Sequence, residues 1–219
     1  MSVRRYPLLV FDWDGTLIDS AGAIVESLQL ACTDIGLRCP AAERARHIIG
    51  LGLHDALRDL VPELDESDYG KLVERYRVHF LTRDRETALF PGIEAGLVQL
   101  RGCGHMLAIA TGKSRRGLER ALDHTGLRPH FTASRCADES HSKPHPGMLQ
   151  AVMEELCIAH DATLMIGDTT HDLQMAANAG VRSVAVTYGA HPREVLAAAR
   201  PEACLDSVEE LFSWLAVNA

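Results

Sequence analysis

The chain has 219 residues, 47% of them hydrophobic and 24% charged, which is the balance of a globular protein able to bury its own core. A formal net charge of −8 argues against a nucleic-acid face or an anionic-membrane surface, so any anionic ligand here must be met by local cations. The cysteines at 32, 39, 103, 136, 157 and 204 form no C-x-x-C pair and read as reduced thiols of a cytoplasmic protein.

In chain order, the apolar run Leu8 to Phe11 predicts a buried strand ending in Asp12-Trp13-Asp14-Gly15-Thr16. Asp12 and Asp14 also break that run too early for a signal peptide or a membrane span. A helix is expected over 20–36, with Asp19 and Ser20 as N-cap candidates and an apolar stripe of Ile24, Leu28, Ala31 and Ile35. Helical spacing recurs at Leu72, Tyr76 and Phe80, while Leu37 to Pro40 and Val61 to Ser67 read as connections. No strand pattern stands out between 18 and 88, and Phe90-Pro91-Gly92 returns the chain to the strand rhythm.

The run Met106 to Ala110 ends in Thr111-Gly112 and is followed by a helix over 115–125. A strand over 130–134 and a helix over 146–157 come next, then Leu164 to Ile166, ending in Gly167-Asp168. A helix over 171–179, a strand over 181–186 and a helix over 207–216 complete the pattern. Alternating strands and helices imply an α/β fold with a doubly wound parallel sheet, whose crossovers bring the polar strand ends to one edge. The expected division is a core of 1–17 and 89–219 with an all-helical cap of 18–88, which would close over that edge.

Asp12 and Asp14 stand one residue apart at a buried strand end, where two like charges need a cation, so a divalent metal is expected. Thr111, then Lys143 in Ser142-Lys143-Pro144, then Asp168 and Asp172 in Gly167-Asp168-Thr169-Thr170-His171-Asp172 reach the same edge. A carboxylate at Asp12 can act as a nucleophile, Asp14 as a general acid and then base, and Gly15 allows the turn between them. Thr111 and the Gly112 N–H offer donors to the oxygens of an anionic ligand, and Lys143 supplies fixed positive charge beside them. Pro144 favours an extended backbone at Lys143. His141 and His145, flanking Lys143, complete no metal set and read as loop residues. His171 falls at a helix start near the rim of this edge.

Together these motifs resemble the haloacid dehalogenase-like superfamily, in the branch with a helical cap inserted after the first motif, over essentially the whole chain. The resemblance implies a Mg²⁺-dependent phosphatase working through an aspartyl-phosphate on Asp12, with Mg²⁺ held by Asp12, the Asp14 carbonyl and Asp168. Asp172 would orient Lys143 or metal-bound water. Trp13, Gly112, Lys113 and Arg46 are the expected phosphate- or substrate-contacting residues. Arg46 lies in Arg46-His47-Ile48-Ile49-Gly50-Leu51-Gly52, which resembles the substrate-facing cap segment of related enzymes, and Arg116 adds charge at the rim.

The implied substrate is a small phosphorylated metabolite, phosphoglycolate-like or a sugar phosphate, with no nucleic acid or membrane partner, in a monomer or homodimer. A phosphomutase of the β-phosphoglucomutase type is the alternative, although such enzymes commonly carry valine where this chain has Thr16. A phospho-accepting signalling module resembling a receiver domain is more remote, because it lacks the cap and the D-x-D-G-T motif. Dehalogenation needs neither Asp14 nor a metal.

Overall fold

The computed structural model describes residues 4–84 and 87–219, so residues 1–3 of the expected core and 85–86 of the expected cap lie outside the described residues. The strands are β1 (Leu8–Phe11), β2 (Met106–Thr111), β3 (Ala133–Cys136), β4 (Thr163–Gly167), β5 (Arg182–Val186) and β6 (Cys204–Leu205). They pair in parallel in the order β3-β2-β1-β4-β5-β6, so the chain reverses its direction of winding at β1. A doubly wound sheet opens a crevice at such a switch point, outside the carboxyl ends of its strands. Asp12 follows β1 and Asp168 follows β4, which are neighbours across that point.

Alternation along β1 explains why the sheet is covered on both faces. Leu9 and Phe11 join a cluster with Leu107, Ile109, Leu164 and Ile166, whereas Leu8 and Val10 join Ala108, Ala110 and Met165 on the opposite face. Both faces are apolar, so the strand reads as an unbroken hydrophobic run.

Before β2 come α1 (Ala21–Asp34), α2 (Ala42–His47), α3 (Leu53–Leu60), α4 (Glu66–Asp84) and α5 (Ile93–Gly102). After it come α6 (Arg115–Thr125), α7 (Gly147–Leu156), α8 (Thr170–Asn178), α9 (Arg193–Ala198) and α10 (Val208–Asn218). Helices α5, α6 and α10 cover the first face through Leu97, Leu118 and Leu211, and α7 and α8 cover the second through Leu149 and Met175. No described helix is long and apolar enough to cross a membrane.

Helices α1 to α4 form the cap and share their own apolar cluster, in which Leu28, Ala45, Leu57 and Leu72 are buried together with Ala190 of the core. The chain enters and leaves the cap side by side: Ile18 bridges antiparallel to Leu89, the Asp19 N–H donates to the Ala88 carbonyl, and the Phe90 N–H donates to that of Leu17. The hydrogen-bonded crossing at 17–19 and 88–90 leaves the helical insertion on two adjacent tethers.

Several elements differ from the sequence expectation. Strand β3 starts at Ala133 rather than near 130, because Arg128–His130, with Pro129 in its first turn, closes a 3₁₀ turn first. The stripe on α1 is rotated by one position: Val25, Leu28, Ala31 and Cys32 are buried, while Ile24 and Ile35 pack at the margin of the cluster. Helix α5 was not legible in the pattern because its Ile93, Leu97 and Leu100 face is interrupted by Gly96. That glycine fits the Phe212 ring of α10, which would lie 2.2 Å from a Cβ built there. All six cysteines are free thiols.

Leu107, wholly buried on β2, should lose about 2–5 kcal/mol of stability in Leu107→Ala. Val98, 54% exposed on α5, should change by no more than about 0.5 kcal/mol as Val98→Ala, so urea unfolding of the two variants tests the assignment of faces.

Candidate active site

Gly15 turns the chain at the end of β1, and its φ of +80° is a left-handed conformation that side chains disfavour. A Cβ there would lie 2.2 Å from Asp168 Oδ2, so the first motif and the end of β4 meet only because this residue lacks a side chain. The turn leaves Asp12 fully buried and Asp14 at 8% exposure.

Lys143 arrives from the loop before α7 through a cis Lys143–Pro144 peptide, with the Pro144 carbonyl held by Asn178 Nδ2 at 2.9 Å. Its buried ammonium lies 2.7 Å from Asp12 Oδ1 and 2.6 Å from Asp172 Oδ1. These are close ionic contacts rather than well-directed hydrogen bonds, and Asp12 Oδ2 has no partner among the described residues.

Asp172 serves the fold and the site at once. Its Oδ2 accepts from the Thr169 N–H at 3.1 Å and the Thr169 hydroxyl at 2.6 Å, closing a capping box at the start of α8. Its other oxygen is thereby left to face Lys143.

Asp168 is held by Thr16 Oγ1 at 2.8 Å on Oδ1 and by the Ala190 N–H at 2.7 Å on Oδ2. Thr16 entered the sequence reading as part of a motif and as the position where the mutases commonly carry valine, and its support of Asp168 had no local signal. Asp12, Asp168 and Asp172 each present a carboxylate oxygen, and these atoms lie within 4.8 Å of one another.

Burial pushes the Asp12 carboxyl well above the ordinary range, with Asp172 and Asp168 adding to the rise against the pull of Lys143. Burial and then Asp172 push Asp168 up to about 7. Burial lowers the affinity of Lys143 for its proton, yet Asp12 and Asp172 outweigh it and leave that pKa raised. Three buried carboxylates around one ammonium are short of positive charge. An all-oxygen donor set with an unpartnered Asp12 oxygen therefore fits a hard divalent cation.

Thr111 ends β2 fully buried, and its Oγ1 accepts from the Lys113 N–H at 3.2 Å. Lys113 Nζ donates to Asp14 Oδ1 at 3.0 Å, and Ser20 Oγ donates to the same oxygen at 2.7 Å. Ser20 precedes α1 as expected, but its hydroxyl does not cap that helix.

The Trp13 side chain is buried in the core cluster of the sheet, which leaves its backbone as the part near the motif. Arg46 is exposed at the last turn of α2. His141 and His145 lie with ring centroids 4.3 Å apart and planes tilted by 48° on the Lys143 loop.

The cap is seated on this edge by backbone contacts around 47–52. The Gly52 N–H donates to Ser142 Oγ at 2.7 Å, and a Cβ on Gly112 would lie 2.5 Å from the Leu51 carbonyl oxygen. The His47 carbonyl faces two core imidazoles, His171 Nε2 at 2.8 Å and His191 Nε2 at 3.1 Å. His191 Nδ1 accepts from the Thr170 N–H at 3.1 Å, so its Nε2 carries the proton donated to His47. None of these seam contacts except the rim position of His171 was visible in the sequence, because each joins residues far apart in the chain.

The haloacid dehalogenase-like hydrolase family model matches residues 9–186. The chain is 35% identical over 210 residues to the probable phosphatase IndB of Dickeya dadantii, covering 94% of this chain and 91% of that protein. It is 32% identical over 191 residues to a phosphoglycolate phosphatase of Agrobacterium fabrum, covering 84% and 81%. A crystal structure of a predicted phosphatase from Clostridium acetobutylicum matches with a TM-score of 0.86 at 28% identity, over 97% of this chain and 99% of that one.

Burial holds His191 down to about 4 against an ordinary 6.5. The unfolded chain therefore binds the extra proton first as pH falls, so stability from this group is full above about 6.5 and is lost towards pH 4. His191→Gln should flatten the pH dependence of the melting temperature in that window, and an unchanged slope would show that the seam imidazole does not carry it.

Proposed function

The chain belongs to the haloacid dehalogenase-like hydrolases, and from that premise we propose that it hydrolyses a small phosphate monoester by passing the phosphoryl group through Asp12. The observation that carries this reading is Asp12 itself. It is a buried carboxylate at the end of β1, with one oxygen against Lys143 and the other unpartnered at the edge where Thr111, Asp14 and Asp168 converge.

Phosphate monoesters hydrolyse extremely slowly in water, and a covalent intermediate divides that barrier into two smaller ones. In the first step the free oxygen of Asp12 bonds to phosphorus as the ester P–O bond breaks, and Asp14 gives its proton to the departing alkoxide. In the second, Asp14 takes a proton from water, whose oxygen bonds to phosphorus and releases inorganic phosphate from Asp12. Lys143 stays beside the other Asp12 oxygen throughout, and the Thr111 hydroxyl and Gly112 N–H face the phosphoryl oxygens.

Asp12, the Asp14 carbonyl and Asp168 would hold Mg²⁺, which when bound cancels the repulsion between the phosphoryl oxygens and the attacking carboxylate. Asp172 is engaged with Lys143 and acts by orienting it. The cap, taken as 18–88 against a core of 1–17 and 89–219, excludes bulk water from the phosphorylated carboxylate. The similarity to a phosphoglycolate phosphatase favours a small alkyl phosphate as substrate, with Arg46 at the cap rim available to a substrate carboxylate.

Phosphate release should be measured across 2-phosphoglycolate, hexose 6-phosphates and nucleoside 5′-monophosphates, with Mg²⁺ or with a chelator. The expected result is metal-dependent turnover with one preferred alkyl phosphate, abolished in Asp12→Asn and slowed about a hundredfold or more in Asp14→Asn. Multiple turnover in Asp12→Asn would overturn the nucleophile, and metal-independent turnover would overturn the assigned cation.

A further inference from the structure

Lys113 stands two residues after Thr111, the threonine proposed to face the phosphoryl group, yet its ammonium is turned to Asp14. Its backbone is fixed on both sides, with the N–H on Thr111 Oγ1 at 3.2 Å and the carbonyl accepting from the Ala137 N–H at 3.1 Å. The side chain is only 9% exposed and that of Asp14 only 11%, so their 3.0 Å contact is well screened from solvent. On its other side the ammonium lies 4.8 Å from the centroid of the Phe80 ring. Phe80 is buried on the cap helix α4 and stacks on Tyr76 with ring centroids 5.5 Å apart.

The two bonds to Asp14 have different origins and one target. Ser20 reaches Oδ1 from the crossing into the cap, and Lys113 reaches the same Oδ1 from the end of β2. With Oδ1 taken twice, Oδ2 is the oxygen left to exchange a proton with the leaving group. A lysine ammonium on an aromatic face gains electrostatic attraction that strengthens away from water. The seated cap therefore stabilises the position of Lys113, and through it that of Asp14.

We propose that Lys113 and Phe80 are positioning residues that aim Asp14 at the leaving-group oxygen and make that aim depend on the seated cap. This rests on the reading of Asp14 as the proton donor of a phosphatase. No atom of Lys113 or Phe80 joins the reaction: the proton still passes from Asp14 to the alkoxide, and Lys113 remains charged. If Lys113 gripped substrate phosphate instead, its loss would weaken binding of every monoester alike.

The test uses two classes of leaving group. p-Nitrophenolate departs without protonation, whereas an alkoxide requires it, so in the transfer to Asp12, which kcat/KM reports, a misplaced proton donor harms only the alkyl ester, while the later hydrolysis is common to both. The probes are p-nitrophenyl phosphate and the best alkyl monoester of the substrate panel above, assayed with native protein, Lys113→Met, Phe80→Leu and Phe80→Tyr. Circular dichroism establishes that each variant is folded.

The expected result is a kcat/KM loss in Lys113→Met and Phe80→Leu about tenfold larger for the alkyl ester than for p-nitrophenyl phosphate, with Phe80→Tyr restoring it. Equal losses of kcat/KM on both substrates would overturn the positioning role while leaving the phosphatase intact. Absence of turnover of either ester by the native protein would instead overturn the phosphatase reading on which the inference stands.

Discussion

The site depends on one buried ammonium shared by two carboxylates. Lys143 touches Asp12 and Asp172 at 2.7 and 2.6 Å, and none of the three has appreciable exposure. Taking such charges out of water costs several kcal/mol per ion, which only close, well-matched geometry recovers. The fold supplies that geometry by independent means. The switch of winding at β1 puts Asp12 beside the end of β4, and the capping box of α8 fixes one Asp172 oxygen so that the other faces the lysine. Removing Lys143 alone would leave three buried carboxylates facing one another.

The remaining excess of negative charge has a chemical use. Burial raises the Asp168 carboxyl to about 7, and three buried carboxylate oxygens within 4.8 Å of one another fit a cation. Asp168 is nevertheless held in one orientation by Thr16 and the Ala190 N–H, so the donor oxygens are placed in advance. The cap adds a second level of organisation. Backbone contacts at 47–52 seat it over Gly112 and Ser142, and the Phe80–Lys113–Asp14 chain of contacts links the cap to the second carboxylate of the first motif.

What the sequence displayed best was whatever is local. Leu8 to Phe11 and Leu164 to Ile166 are short apolar runs with polar ends, and the parallel sheet follows from their alternation with helices. Asp12, Asp14, Lys143 and Asp168 could be singled out because their residue types stand at strand ends or in turns, and the fold brings them to one edge. Helix α5 was hidden because Gly96, chosen for its contact with Phe212, breaks an otherwise periodic face. Strand β6, with only Cys204 and Leu205, is too short to show any period. Ser20 shows the limit of local rules: its position is that of an N-cap, but Asp14, six residues earlier, takes its hydroxyl. The His47, His171 and His191 seam arises only when the end of α2 meets the start of α8 and the loop after β5.

The most direct test of the account is to quench the protein in acid during turnover of its preferred phosphate ester and map covalent phosphate by peptide mass spectrometry. The account predicts one added phosphoryl group on the peptide containing Asp12, carried by the carboxylate and absent in Asp12→Asn. A phosphoryl group on any other residue, or none at all while a rapid burst of alcohol release is observed, would contradict Asp12 as the acceptor.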